Sequence, residues 1–141
     1  MLPPKTVLAI DPGFKKNGLA LVQRTAEGAT HLLWRSIVGR EELANEVREA
    51  AALSPYEVIV VGNGTRSRET VDLIRSEFPS ASILLVDETN TSQAAREKYW
   101  EHHTRPWWRR LLPSSLQTPP VEIDDFAALV LAERVLHEHL H

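Results

Sequence analysis

The run Val7-Leu8-Ala9-Ile10 is apolar at every position, and Asp11-Pro12-Gly13 stops it. A strand with one wet face alternates apolar and polar residues, so an unbroken run marks a strand buried on both faces. Such a strand belongs inside a sheet with cover above and below it. This one segment therefore points to a layered α/β core, and the rest of the chain must supply the neighbouring strands and the covering helices.

Gly18 to Val22 reads as a second strand and His31 to Val38 as a third, with Glu27-Gly28 as the turn between them. The short connections predict an antiparallel meander. Glu41 to Leu53 has helical composition, with Leu43, Val47 and Ala50 on one face. Val58 to Val61 is a fourth strand, broken by Gly62-Asn63-Gly64. Ser67 to Phe78 is an amphipathic helix with Val71, Ile74 and Phe78 aligned. Ile83 to Val86 is a fifth strand, and Thr91-Ser92 can cap a helix running to about His103. Thr104 to Pro120 is irregular and holds four prolines. Asp124 or Asp125 then caps a last helix reaching about Leu140. The order βββαβαβα predicts an α/β fold with a mixed five-stranded sheet and helices on both faces. No repeat or linker divides the chain, and residues 1–141 read as a single domain.

The chain has 141 residues, a charged fraction of 25% and no cysteine, which excludes disulfides and thiolate metal sites. The start, Met1-Leu2-Pro3-Pro4-Lys5, runs directly into the first strand, so no leader is expected. No apolar stretch approaches the roughly 20 residues that span a bilayer. The expected location is the cytoplasm, with no membrane partner. A net charge of -3 argues against a protein that coats nucleic acid along its whole surface, but leaves room for a local basic patch.

Three acids stand at the edges of these elements. Asp11 closes the first strand, Glu88 follows the fifth, and Asp124 opens the last helix. Each has an ordinary alternative: Asp11 before Pro-Gly starts a turn, Glu88 is a solvated loop acid, and Asp124 is an N-cap. Converging, they would form an oxygen site for hard cations such as Mg²⁺. Two such ions stabilise the attacking and leaving oxygens of a phosphodiester displacement.

Four segments in order carry a family resemblance: Val7-Leu8-Ala9-Ile10-Asp11-Pro12-Gly13 with Gly18 after it, Val60-Val61-Gly62-Asn63-Gly64-Thr65, Asp87-Glu88-Thr89-Asn90-Thr91-Ser92, and Ile123-Asp124-Asp125-Phe126-Ala127-Ala128. Together they resemble the ribonuclease H-like superfamily, and within it the RuvC/YqgF group of Holliday-junction resolvases and related nucleases. The resemblance implies Asp11, Glu88 and Asp124 as ligands of Mg²⁺ or Mn²⁺, with Asp125 a rival for the third place and a further catalytic candidate. It implies branched DNA, or structured RNA such as ribosomal RNA precursors, as substrate, and a homodimer with two-fold symmetry. RuvC itself usually carries a glutamate after the fourth strand, where this chain has Gly62-Asn63-Gly64-Thr65. That departure draws it toward YqgF. Gly62 to Thr70 also resembles the same domain in Tex-type transcription accessory proteins, which implies a non-catalytic nucleic-acid-binding module as the alternative.

Candidate nucleic-acid contacts are spread along the chain. Lys15 and Lys16 follow the first acidic turn. Asn63 and Thr65 lie in a glycine turn whose backbone can approach a phosphate, with Arg66 and Arg68 beside it. Arg105, Trp107, Trp108, Arg109 and Arg110 combine guanidinium groups that pair with phosphates and rings that stack on unpaired bases. The tryptophans are equally able to pack an irregular loop against the core.

Overall fold

The computed structural model describes residues 4–13, 15–64, 66–87 and 124–138; the side chains of 124–126 and 138 lie outside it. The chain runs β1 (Lys5–Pro12), β2 (Lys16–Arg24), β3 (Thr30–Gly39), a 3₁₀ turn (Arg40–Glu42), α1 (Leu43–Leu53), β4 (Val58–Gly62), α2 (Ser67–Glu77), β5 (Ile83–Val86) and α3 (Asp124–Glu138). The strands form one five-stranded sheet in the order β3-β2-β1-β4-β5. β1, β2 and β3 pair antiparallel, while β4 and β5 run parallel to β1. The expected mixed sheet is present. The helix expected from Thr91 and the proline-containing stretch to Pro120 lie outside the described residues.

β1 is central, and Val7 to Ile10 are fully buried, as the unbroken apolar run requires. Its side chains divide between two cores. Val7 and Ala9 join Ala20, Val22, Val60 and Val86 under α3. Leu8 and Ile10 join Leu19, Leu21, Ile59 and Val61 under α1 and α2. The three residues expected on the inner face of α1, Leu43, Val47 and Ala50, are buried there. So are Val71 and Ile74 of α2, with Phe78 packed just past its end. The sheet thus carries helices on both faces.

α3 is apolar around its whole circumference for more than a turn, with Ala127 to Ala132 all buried. It packs over β1 and β2. Its far end is fixed by Arg24, whose Nη1 donates to the Leu136 carbonyl at 2.9 Å. Thr30 Oγ1 donates to Glu133 at 3.2 Å beside it. Arg24 and Thr30 are partners in the β2–β3 ladder, at the end of the sheet remote from Asp11. α3 therefore enters with Asp124 and Asp125 and finishes at the Arg24 end.

The meander holds one irregularity. Val22 pairs with Leu32 but Leu21 pairs with Trp34, so Leu33 is an extra residue in β3. This bulge exchanges the two faces of β3 from Trp34 onward. Leu32 packs into the α3 core and Trp34 into the α1–α2 core, although their numbers share a parity. The β2–β3 turn closes through Thr25 N to Ala29 O at 2.7 Å and Gly28 N to Thr25 O at 3.0 Å. Gly28 has φ +91°, a value that suits glycine and completes the three-residue hairpin geometry.

Candidate functional site

Asp11 is the penultimate residue of β1 and pairs with Gly18 on β2. On its other side β1 pairs with β4 up to Ile10–Val61, and the next residue of β4 is Gly62. The partly exposed Asp11 carboxylate therefore has a glycine on each neighbouring strand. By the strand period it shares the face of Val7 and Ala9, the face covered by α3. Its backbone direction is fixed just beyond. A Cβ on Gly13 would stand 2.2 Å from the Lys16 carbonyl oxygen, so the chain can reverse this tightly only without a side chain there. Lys15 and Lys16 are exposed at the same turn.

The glycine turn after β4 stands at this same end. Asn63 N donates to the Val86 carbonyl at 2.9 Å, tying the turn to β5, and its side chain is exposed. Ser67 N donates to Gly64 O at 3.1 Å as α2 begins. Arg66 is not a bare cation: its Nη1 reaches both carboxylate oxygens of Glu69 at 3.2–3.3 Å. Arg40, from the 3₁₀ turn, donates to the same carboxylate at 2.6 Å. The hydrogen bond from Arg40, then that from Arg66, holds the Glu69 carboxyl below the usual glutamate value. Arg68 is exposed in the first turn of α2.

Asp11, Lys15, Lys16, Asn63, Arg66 and Arg68 are thus gathered at one end of the sheet, the end where β1, β4 and β5 finish. Asp124 and Asp125 open α3. Thr65, Glu88, Arg105, Trp107, Trp108, Arg109 and Arg110 lie outside the described residues. Among the described residues no three acids or histidines stand close enough to hold a metal ion. Those residues supply one of the expected ligands, Asp11. Nothing local in the sequence marks Arg40, because its partner Glu69 is 29 residues away.

Known proteins resemble this chain in two ways, in fold and in sequence. The resolvase of fowlpox virus, in a structure with Holliday-junction DNA, superposes with a TM-score of 0.60 at 10% identity, covering 96% of this chain and 99% of that one. RuvC of T. thermophilus, also with a Holliday-junction substrate, gives 0.57 at 17% identity over 91% and 90% of the two chains. The yeast mitochondrial resolvase Ydc2 gives 0.53 at 11% identity, covering 96% and 79%. The chain has the RuvC-like, ribonuclease H-like fold. In sequence it is similar to the Tex protein of Bordetella pertussis, 27% identical over 136 residues. That match takes in 94% of this chain but 16% of Tex, so the chain spans about a sixth of that relative. No family model matches the chain.

Proposed function

We propose that this chain is a metal-dependent endonuclease acting on branched DNA. The observation that carries the reading is Asp11, a carboxylate at a strand end with glycines on both neighbouring strands, on the face over which α3 lies. Neither neighbouring glycine has a side chain to stand between this acid and a ligand. Asp124 or Asp125 enters the same layer at the start of α3. β5, which Glu88 follows in the sequence, puts Leu84 and Val86 on that face. The donor set Asp11, Glu88 and Asp124 is all oxygen, the chemistry of Mg²⁺ or Mn²⁺ rather than of softer metals.

Such an ion, when bound, supplies Lewis-acid stabilisation of the charge that builds on the phosphate. The chain's own residues do the rest. Asp11 fixes one side of the ion site through a rigid central strand. Lys15, Lys16 and Arg68 draw the polyanion to this end of the sheet and orient its backbone. The fold neighbours solved with Holliday-junction DNA favour DNA over structured RNA as substrate. A two-fold homodimer belongs to the same proposal, since a four-way junction presents two cuts. So does a cytoplasmic location; among the described residues no helix is long and apolar enough to cross a membrane.

The similarity to Tex supports a second reading, a nucleic-acid-binding module that does not cut. One experiment separates the two. The protein and its Asp11→Asn variant are incubated with labelled four-way junctions, linear duplexes and structured RNA, in Mn²⁺, Mg²⁺ or chelator. The expected result is metal-dependent cutting of the junction that Asp11→Asn abolishes, while binding stays equal or tightens because a negative charge beside the phosphate is gone. Binding without cutting under every condition would establish the second reading.

A further inference from the structure

The Arg40–Glu69 pair joins two segments that the sheet order separates. Arg40 follows β3 directly, and Gly39 before it pairs with Lys16 of β2. Glu69 sits in the first turn of α2, after β4. Between β3 and β4 in the sheet lie β2 and β1, whose turn carries Lys15 and Lys16. The pair therefore lies across the end of the sheet at which Asp11 stands, on the side of α1 and α2. Arg40 is 58% exposed in its side chain and Glu69 is 45% exposed. Arg40 meets Glu69 through Nη1, and more than half of its side chain is exposed.

Five basic residues, Lys15, Lys16, Arg40, Arg66 and Arg68, gather at or beside this end of the sheet in a protein of net charge -3. Exposed ion pairs contribute little to stability, so a brace between a 3₁₀ turn and a helix explains the pair poorly. A guanidinium held in place by one carboxylate is pre-organised, and its planar fork suits a phosphate.

We propose that Arg40 is a backbone-phosphate contact for the nucleic acid, and that Glu69, its ion-pair partner, offsets its charge. The proposal rests on the nucleic-acid-binding reading above and extends the contact surface to the β3–α1 junction, outside every motif visible in the sequence. Glu69 thereby tempers the site. Its carboxylate repels phosphate while it holds the arginines, so removing its charge strengthens attraction even as it loosens Arg40.

The test measures binding of a labelled four-way junction by fluorescence anisotropy, in chelator to prevent cutting, across a series of salt concentrations. Arg40→Ala is expected to bind about 3–10-fold more weakly and to lower the slope of log K against log salt by about 0.9, the value for one lost phosphate contact. Arg40→Lys keeps the charge and retains the slope. Glu69→Gln binds more tightly than the unaltered protein, and all three variants keep their thermal unfolding midpoints. An unchanged slope in Arg40→Ala overturns the proposal and leaves the nucleic-acid reading standing. Weaker binding by Glu69→Gln, in step with a lowered unfolding midpoint, also overturns it and makes the pair a brace. Inorganic phosphate that displaces the junction at matched ionic strength would mark a pocket for free phosphate, again overturning it. Absence of binding by the unaltered protein removes both readings together.

Discussion

Arg24 and Leu136 stand 112 residues apart, and the guanidinium of the first donates to the carbonyl of the second at 2.9 Å. Arg24 is only 2% exposed, at the last position of β2, and the carbonyl belongs to the final turns of α3. Helix C-termini leave carbonyls without intrahelical donors, and a cation there satisfies both hydrogen bond and dipole. Arg24→Met keeps much of the side-chain volume but leaves the carbonyl with no donor. It is expected to lower stability by about 2 kcal/mol, the scale of a charged hydrogen bond. Urea unfolding should show a lower midpoint at unchanged slope. A midpoint equal to that of the unaltered protein would show the contact to be incidental.

Two glycines separate backbone conformation from space. Gly28 has φ +91° and nothing within 4 Å of where a Cβ would stand, so Gly28→Ala meets only the left-handed penalty, about 1–2 kcal/mol. At Gly13 the obstacle is the Lys16 carbonyl oxygen at 2.2 Å, a backbone atom that cannot swing aside. Gly13→Ala must open the β1–β2 turn, two residues from Asp11. It should lose more stability than Gly28→Ala and, unlike it, reduce metal-dependent cutting. Calorimetry and a cutting assay on the two variants decide this; equal activity in both would detach the turn from the site.

Most of the sheet was legible because its signals are local. The unbroken run at Val7 to Ile10, the short meander turns and the helical faces of α1 and α2 each lie within a dozen residues. The ends of β4 and β5, and with them the glycine turn, followed from punctuation by polar residues and glycine. Asp11 was legible as a strand-end acid, but its glycine neighbours on both sides depend on register between strands. Arg40 and Arg24 were illegible because each partner lies far along the chain. Leu33 marks where period-two reading fails: a bulge has no consistent sequence signature, yet it sends Leu32 and Trp34 to opposite faces.

That bulge makes a contrast between adjacent leucines. Leu33 is 44% exposed, whereas Leu32 packs into the core beneath α3. Leu33→Ser should change stability by about 0.5 kcal/mol or less, as surface substitutions do. Leu32→Ser loses a partly buried aliphatic side chain and should cost more, about 1–2 kcal/mol. Unfolding curves for the pair check the assignment, and the reverse order would mean that β3 pairs without the extra residue at Leu33.

The segment with Trp107 and Arg109 makes a prediction that depends on the form of the nucleic acid. A tryptophan stacked on an unpaired base contributes about 1–3 kcal/mol, and a paired base in a duplex offers no such face. An arginine on a phosphate acts on either form, through counterion release. The double variant Trp107→Ala with Arg109→Ala should therefore weaken binding of a gapped strand, or of a four-way junction with unpaired bases at its crossover, at least tenfold. Linear duplex should lose only the arginine's share, about threefold at moderate salt. Metal affinity, read from Mn²⁺ titration of thermal stability, should not change, since neither residue belongs to the acidic set. Equal losses on junction and duplex would make Trp107 a packing residue and leave the arginine as the only contact in this segment.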